Sequence, residues 1–277
     1  MAFYGCEFLF DDVSCSQHGL MLYDFGSNTQ GDNSFPSAGK IISDSVAGRY
    51  DSFFYGVEQN EPIEYTLVFG ANMDSIDAVE HIDRYEVEAI ASWLTGHNTR
   101  KWLEIVQPDM ESFRYKCTIS DLKLITYGNM PWAFSCKVTC DSPFAYTHED
   151  HTFIDLEAGD TYNGSEFTYF NRSSYNGYYC PKMIIRFSGG GKLSIRNRSD
   201  ENRQFLFDNL PKGDLEIHID NLNQVIYEKN TEVNLYPYFN FNFLRLKRGD
   251  NVLSIYKTHN STCEIEIISS FPVNIGA

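Results

Sequence analysis

The sequence predicts a mainly β protein of two domains with one clearly marked helix. Short runs of aromatic and β-branched residues, bounded by Gly, Asp, Asn or Pro, recur along the whole chain. Residues 80–105 differ, because apolar side chains recur there at spacings of three and four. The length of 277 residues is typical of two domains of ordinary size. We therefore expect β-structure in both halves and a helix in the first.

Strands are predicted in both halves of the chain. In the first half they are residues 3–10, 18–25, 50–57, 63–69, 101–106, 113–127 and 132–140. In the second half they are residues 182–187, 192–196, 204–207, 215–219, 224–227, 241–246, 251–256 and 263–268. The second set recurs at intervals of about 8–12 residues, which is typical of a β-sandwich.

A change of composition marks the boundary between the two domains. No tryptophan follows Trp132, whereas Asn and Tyr become frequent after residue 152. The boundary is placed in residues 143–151. We expect one domain at residues 1–148 and a second at residues 149–277.

The helix is predicted from one apolar stripe. Ile82, Tyr85, Ala89, Ile90 and Trp93 recur at helical spacing on a segment that is otherwise polar. The stripe is too short for any role except packing against a sheet. All five residues are expected in the core.

Both ends of the helix are also marked. Asp83 and Glu86 have the spacing of a capping box in which Asp replaces the usual Ser or Thr. Gly96 is placed to end the helix in a left-handed turn. The roughly twelve residues between them span about 18 Å, enough to cover one face of a small sheet.

The charge balance excludes one class of function. The chain carries 38 acidic and 22 basic residues, a net charge of −16. Specific nucleic-acid binding rests on clustered Lys and Arg, so it is not expected. No apolar run approaches the ~20 residues of a membrane helix, and no membrane insertion is expected. The first residues lack the pattern of a secretory signal, so synthesis in a cytoplasm is expected.

The cysteines predict neither a metal site nor a disulfide framework. Seven cysteines form no C-x-x-C pair. An odd number of scattered cysteines without a secretory signal indicates reduced, mostly buried thiols.

No motif of an enzyme or a cofactor site is found. The cluster at residues 148–151 offers two His and two carboxylates, but no third ligand of a catalytic zinc site stands near it, so a polar linker is favoured. Residues 188–192 suggest a phosphate loop, yet Leu193 stands where Ser or Thr is required, and a glycine turn between strands is the better interpretation. We expect no catalytic activity, no metal and no cofactor.

A carbohydrate-binding adhesion module is the alternative function. β-Sandwiches often hold sugar sites, and the second half offers several tyrosines, namely Tyr175, Tyr178, Tyr179, Tyr236 and Tyr238. It offers no tryptophan, and residues 218–221 depart from the H-x-N-x-R pattern of galectins. Strand edges and interfaces are the expected places of these tyrosines.

Several segments occur in an order that resembles one known family. They are FYGCEFLFD near the start, RYDSFFYGV at 49–57, IEYTLVFG at 63–70, I-x-x-W-L at 90–94, KWL at 101–103, YKCTI at 115–119, FSCKVTCDSPFAY at 134–146 and FLRLKRGDNVLSIY at 243–256. The last resembles an L-x-x-G-x-N turn before a closing strand. Together they resemble the distal tail proteins of bacteriophages with long, flexible tails. The resemblance covers nearly the whole chain and rests on the order of the segments.

The resemblance implies a fold and a structural role. It implies an N-terminal β-sandwich-like domain with one α-helix and a C-terminal galectin-like antiparallel β-sandwich. It further implies a homohexameric ring at the tail tip of the virion, between the tail tube protein and a tail-associated hub protein. DNA passes through this ring, and receptor-binding proteins attach outside it. Relatives that bind sugars directly carry an inserted module, for which this chain has no room.

The resemblance also directs attention to residues 26–48. This polar stretch is long for a connection, and such connections are functional or disordered. In a ring it is the expected contact to a neighbouring copy or to the tube, through Asn33, Phe35, Pro36, Ile41 and Ile42. Because each copy carries −16, an acidic lumen that repels DNA is expected.

Overall fold

The chain divides into two compact units of β-structure. The computed structural model describes residues 7–26, 40–58, 62–71, 82–106, 112–157, 166–230 and 233–274. Its units are Met1–Thr147 with Asn274–Ala277, and His148–Val273. Strands dominate, and the described residues contain a single α-helix, so the prediction of a mainly β chain is confirmed. In these ranges no helix has the length and apolar character needed to cross a membrane.

The first unit is built on one antiparallel sheet. The order of its main strands is β2-β1-β7-β8-β9-β6-β3, and β10 pairs with β8. Strands β4 and β5 form a separate hairpin. The bounds are β1 (Glu7–Phe10), β2 (Val13–Ser14), a 3-10 turn (Cys15–His18), β3 (Leu20–Gly26), β4 (Lys40–Asp44), β5 (Phe53–Glu58), β6 (Glu64–Ala71), α1 (Arg84–Thr95), β7 (Lys101–Val106), β8 (Arg114–Tyr127), β9 (Met130–Cys140) and β10 (Ala145–Tyr146).

Aromatic side chains from neighbouring strands form the core of the first unit. Along the first half of β6, buried residues alternate with exposed ones, as in a sheet with one face covered, and the last three residues are all buried. Phe69 from this strand lies edge-on to Phe8, with ring centroids 5.2 Å apart, and is stacked with Phe134 at 5.5 Å. These contacts between large apolar rings link β1, β6 and β9 in the core.

The predicted capping box is present at the start of α1. The Glu86 backbone N–H donates to the Asp83 carboxylate at 2.8 Å, and the Asp83 N–H donates to the Glu86 carboxylate at 2.8 Å. Two N–H groups that lack a partner in the helix are thereby satisfied.

Gly96 ends α1, but the predicted left-handed conformation is wrong. Its φ is −75°, and its N–H donates to the Ser92 carbonyl oxygen at 2.9 Å. A Cβ at this position would lie 2.5 Å from the same oxygen. Glycine is therefore required by a close approach to the preceding turn and not by a positive φ.

The buried face of α1 is centred on Ile90 and Leu94. Both are buried, as is Ile82 just before the helix. Trp93 is half-buried at the edge of this face. The predicted apolar stripe ended at Trp93 and therefore did not include Leu94, which is a core residue.

Tyr85 and Ala89 are exposed, so their prediction as core residues is wrong. Tyr85 is 83% exposed, and Ala89 also faces solvent. The reason is geometric, because successive helical residues are about 100° apart. Tyr85 lies about 140° from Ile90 around the helix axis, on the opposite side from the sheet.

The second unit consists of two antiparallel sheets around one core. The first sheet has the order β11-β19-β13-β16-β17 and the second β12-β18-β14-β15. Inward side chains of both sheets pack into one apolar cluster, as expected of the predicted sandwich. The bounds are β11 (Asp150–Leu156), β12 (Glu166–Asn171), β13 (Lys182–Ser188), β14 (Gly191–Asn197), β15 (Arg203–Leu210), β16 (Asp214–Asp220), β17 (Val225–Glu228), a 3-10 turn (Tyr236–Tyr238), β18 (Gly249–Lys257), β19 (Thr262–Ser269) and β20 (Pro272–Val273).

The predicted glycine turn joins β13 to β14. Gly189 and Gly190 have φ values of +95° and +77°, which favour glycine. The interpretation as a turn between strands is confirmed, because both flanking segments are strands.

The strand predicted at residues 241–246 is wrong. Phe241 has a φ of +59°, which breaks an extended strand. Asparagine side chains and one isolated bridge between Leu246 and Tyr179 satisfy the backbone here in place of a ladder. The Leu244 N–H donates to the Asn221 side-chain oxygen at 2.8 Å, and the Asn171 amide donates to the Leu246 carbonyl oxygen at 3.2 Å. The segment buries its leucines without joining a sheet.

Candidate assembly surface

A separate β-hairpin of the first unit is the main candidate site. We call residues 40–58 the arm. Strands β4 and β5 pair antiparallel, with Asp44 opposite Phe53, and they hydrogen-bond to no other described strand. An isolated two-stranded hairpin is at best marginally stable in water. The arm therefore lacks the support that a larger sheet gives.

The arm exposes an unusual amount of apolar surface. Phe54 and Tyr55 are each 65% exposed and Ile41 is 64% exposed. Consecutive side chains of a strand point to opposite faces, so these runs place apolar groups on both faces of the hairpin. The other large exposed apolar side chains of the arm are Ile42, Val46, Tyr50 and Phe53. Apolar surface of this kind on a folded protein is typical of sites that contact another protein, a membrane or a ligand.

A charged pair orders the end of the arm. The Arg49 guanidinium donates to both carboxylate oxygens of Asp51, at 2.6 and 2.9 Å. Its Cζ lies 4.0 Å from the centroid of the Phe53 ring, in cation–π geometry. The hydrogen bond to Arg49 lowers the pKa of Asp51, and the same bond raises the pKa of Arg49. Both groups keep their charges at neutral pH, and the pair lies beside the aromatic strand β5.

Two of the five predicted contact residues fall on the arm. Ile41 and Ile42 lie next to each other on β4 and are exposed. Asn33, Phe35 and Pro36 lie outside the described residues. The prediction did not include the aromatic residues of β5. A signal for them was present, because three consecutive aromatics in a strand cannot all face one core.

A second exposed apolar surface lies at the end of the β8–β9 hairpin. We call residues 121–130 the tip. Leu124, Ile125, Tyr127 and Met130 are exposed there, whereas the base of β8 alternates between buried and exposed residues. The turn residues Gly128 and Asn129 have φ values of +57° and +66°, as in a tight hairpin turn. The tip thus presents apolar side chains at the far end of a long hairpin.

The His-rich cluster at residues 148–151 acts as ordinary polar surface of a strand. His151 Nδ1 lies 2.8 Å from a Glu266 carboxylate oxygen, and Arg186 lies on the other side of that carboxylate at 3.6 Å. Across the described ranges, no group of three or more His, Cys, Asp or Glu residues could hold a metal ion. The interpretation as a linker is wrong for Asp150 and His151, which lie in strand β11 and pair with β19.

A groove of the second unit has several paired charges in its lining. Its volume is about 490 Å³, and its lining includes Arg186, Glu216 and Glu264. Arg186 pairs with Glu264, and Lys229 lies 2.9 Å from Glu216. The hydrogen bond from Lys229 and a second one from His218 lower the pKa of Glu216. The basic groups at this groove are engaged by carboxylates of the same chain.

The candidate sugar-stacking tyrosines have contacts inside the second unit, and Tyr236 and Tyr238 pack against its core. Tyr178 lies under the Arg245 guanidinium at 3.9 Å. The Tyr179 hydroxyl accepts a backbone hydrogen bond at 2.8 Å, and the Tyr236 hydroxyl accepts one at 3.2 Å. Desolvation by burial raises the pKa of Tyr179 to about 12. These rings serve the packing of the second unit.

A solved structure of a phage protein shares this fold. The Dit (gp 19.1) protein of phage SPP1, described as a paradigm of the hub adsorption apparatus in phages that infect Gram-positive bacteria, matches with a TM-score of 0.63 and 12% identity. The match covers 96% of this chain and 98% of that one. A chain of the phage p2 baseplate, in its activated conformation with Sr, matches with a TM-score of 0.46 and 16% identity, over 95% of this chain and 97% of that one.

Family models account for both halves of the chain, although no curated protein matches it. A model described as a phage tail protein N-terminal domain matches residues 3–142. A model described as a phage tail C-terminal domain matches residues 144–269. The resemblance inferred from the order of the segments is thus confirmed in family and in fold. The chain belongs to the phage tail protein family that these two domains define.

Proposed function

We propose that this chain is a distal tail protein. In this proposal six copies form a ring at the end of a long, flexible tail, and the ring joins the tail tube to the tail-tip hub. One observation carries the proposal: the fold follows that of SPP1 Dit along almost the full length of both chains. The membership of both halves in a phage tail family supports the same role.

The arm supports assembly into a ring. A closed ring needs contacts between two different surfaces of each copy. The arm supplies one such surface, because its apolar side chains are exposed on both faces and have no sheet to cover them. We assign Ile41, Ile42, Phe54 and Tyr55 to the contact with a neighbouring copy or with the tube.

The two domains have different parts in this proposal. Residues 1–148 form the ring, and residues 149–277 point outward, where receptor-binding proteins attach. The site of action is the virion, after synthesis in the bacterial cytoplasm. The role is structural and not catalytic. The net charge of −16 per copy favours an acidic lumen through which DNA slides without binding.

Native mass spectrometry of the purified chain tests the proposal. The expected result is a hexamer, present at once or formed as concentration rises. A strict monomer at high concentration, together with a monomeric arrangement in isolated tail tips, would overturn it. Electron microscopy of the assembled ring tests the charge of the lumen, which is expected to be acidic.

A further inference from the structure

We propose that Cys117 and Cys140 are the site of a reversible disulfide across strands β8 and β9. The two residues lie directly opposite each other in the strand register. Both thiols are free, and both side chains are buried on the same face of the sheet. The pair is a covalent cross-link site inside the first unit.

The backbone hydrogen bonds show which type of pair this is. The Asp141 N–H donates to the Lys116 carbonyl oxygen at 2.9 Å, so the hydrogen-bonded pair is the neighbouring one. The Cys140 N–H donates to Ile63 on the other side of β9, at 2.9 Å, and so points away from Cys117. Residues 117 and 140 thus form a non-hydrogen-bonded pair, in which Cα atoms are about 4.5 Å apart. Disulfides usually join Cα atoms about 4.4–6.8 Å apart.

The remaining buried cysteine of β9 cannot take part in this bond. Cys136 lies four residues from Cys140 on the same strand, which is about 13 Å along an extended chain. It faces Leu67 of β6, its partner on that side. The register therefore selects Cys117 as the partner of Cys140.

The chemistry requires only a small disulfide such as oxidised glutathione. One thiol loses its proton, and the thiolate attacks the small disulfide and releases one small thiolate. The second cysteine then attacks the mixed disulfide, which forms the Cys117–Cys140 bond and releases the second small thiol. Two protein thiols are oxidised and one small disulfide is reduced to two thiols. A phage particle meets such oxidising conditions once it leaves the reducing cytoplasm.

Burial controls when the exchange occurs. Desolvation raises the pKa of Cys117 well above its usual range and that of Cys140 to about 12. Thiolate is the reactive form, so exchange is slow in the closed fold. In the particle the bond is expected to form when β8 and β9 open locally, after the chain has left the reducing cytoplasm. During refolding in vitro with oxidised glutathione it is expected to form before the fold closes.

The cross-link would hold the base of the hairpin that carries the tip. Residues 121–130 lie inside the loop that the bond closes. Oxidation therefore fastens the two strands below the exposed apolar surface without altering the tip itself.

The test is refolding of the full chain in oxidised and reduced glutathione, then alkylation of free thiols and peptide mapping by mass spectrometry. We expect the Cys117–Cys140 linked peptide in more than half of the folded chains, and equally in a Cys136→Ala variant. Free or glutathione-capped Cys117 and Cys140 in the folded chain would overturn the proposal.

A second variant tests whether the strand register, and not closeness in sequence, selects the partner of Cys140. In Cys117→Ser, Cys140 is expected to stay unlinked to any other cysteine. A new Cys136–Cys140 bond would contradict the geometry. If Cys117→Ser does not fold, the Cys136→Ala variant decides, because it keeps both cysteines of the proposed bond.

Discussion

The indole N–H of Trp93 donates to the carbonyl oxygen of Phe10 at 3.1 Å and so joins α1 to strand β1. The Trp93 ring is stacked on Phe8, with centroids 5.7 Å apart and 12° between the planes. The Trp93 ring is also stacked with the His18 ring, with centroids 4.6 Å apart and 27° between the planes. The helix packs against the sheet, and Trp93 is the residue that connects it to β1.

Replacing Trp93 by Phe is expected to destabilise the first unit by about 1–2 kcal/mol, because the part-buried Phe10 carbonyl oxygen loses the indole donor. Tyr85→Ser is the matched control on the exposed side of α1 and should change stability by less than about 0.5 kcal/mol. Urea unfolding followed by tryptophan fluorescence reads this unit alone, since Trp102 and Trp132 also lie in it. Equal losses in the two variants would disprove the role of Trp93.

The capping box gives a second prediction. Asp83→Ala removes the acceptor of the Glu86 N–H and should cost about 1 kcal/mol. Asp83→Asn keeps a side-chain acceptor and should cost less than half as much. The same fluorescence titration compares the two variants. A loss as large for Asn as for Ala would show that charge, not the cap, stabilises this end.

An ion pair with a buried carboxylate makes the second unit sensitive to acid. The Asp200 side chain is fully buried and accepts from Arg245 at 2.7 and 3.2 Å. Burial alone would raise the pKa of Asp200, but hydrogen bonds from Arg245 and Tyr178 outweigh it, and the pKa is lowered. The stabilisation is thus present above the unfolded pKa of about 3.9 and is lost as pH falls through the folded value.

Asp200→Asn should therefore cost about 3 kcal/mol at neutral pH and remove part of the loss of stability below about pH 4. The control is Glu166→Gln, which breaks the exposed pair with Arg198 and should cost less than about 1 kcal/mol. Hydrogen exchange of the β14 and β18 backbone amides, followed as a function of pH, measures the stability of both variants. If the stability of Asp200→Asn falls with decreasing pH as steeply as that of the unchanged chain, the role given to Asp200 is wrong.

The arm is tested by a matched pair of phenylalanines. Phe54 of the arm is 65% exposed and Phe170 of the second unit is 62% exposed. Phe54→Ser is expected to shift the assembly at least tenfold toward monomer in native mass spectrometry, since it removes buried apolar area from the proposed contact. Phe170→Ser should leave the assembly unchanged. If both variants assemble alike, the arm is not the contact.

Sugar binding separates the ring protein from the alternative of an adhesion module. A glycan array probed with the full chain is expected to show no strong binding. The reason is that Tyr178, Tyr179 and Tyr236 are engaged in internal contacts. Millimolar or tighter binding that is lost in Tyr175→Ala or Tyr238→Ala would favour the adhesion module.

Patterns within a short stretch of sequence predicted those elements whose structure is set by residues close in the chain. The alternation in residues 101–106 and the Asp83–Glu86 spacing were enough to predict β7 and the capping box. Residues 241–246 carried the same apolar pattern as a strand, yet distant asparagines satisfy their backbone. That outcome depends on side chains far away in sequence, so no local pattern contains it.

The arm, too, could be predicted from the sequence only in part. The sequence drew attention to Ile41 and Ile42 because they interrupt a polar stretch. Whether the aromatic run of β5 faces a core or solvent depends on which strands pair with it, and only the tertiary structure decides this.

By itself the sequence determined the class of fold, most of its strands, the start of its helix and its family resemblance, since periodicity, capping and segment order are properties of the chain. Only the tertiary structure decided that Leu94 is buried where Tyr85 is exposed, that Cys117 lies opposite Cys140, and that the arm has no sheet to cover it. The physical reason is that burial and register are set by surfaces brought together from distant parts of the chain.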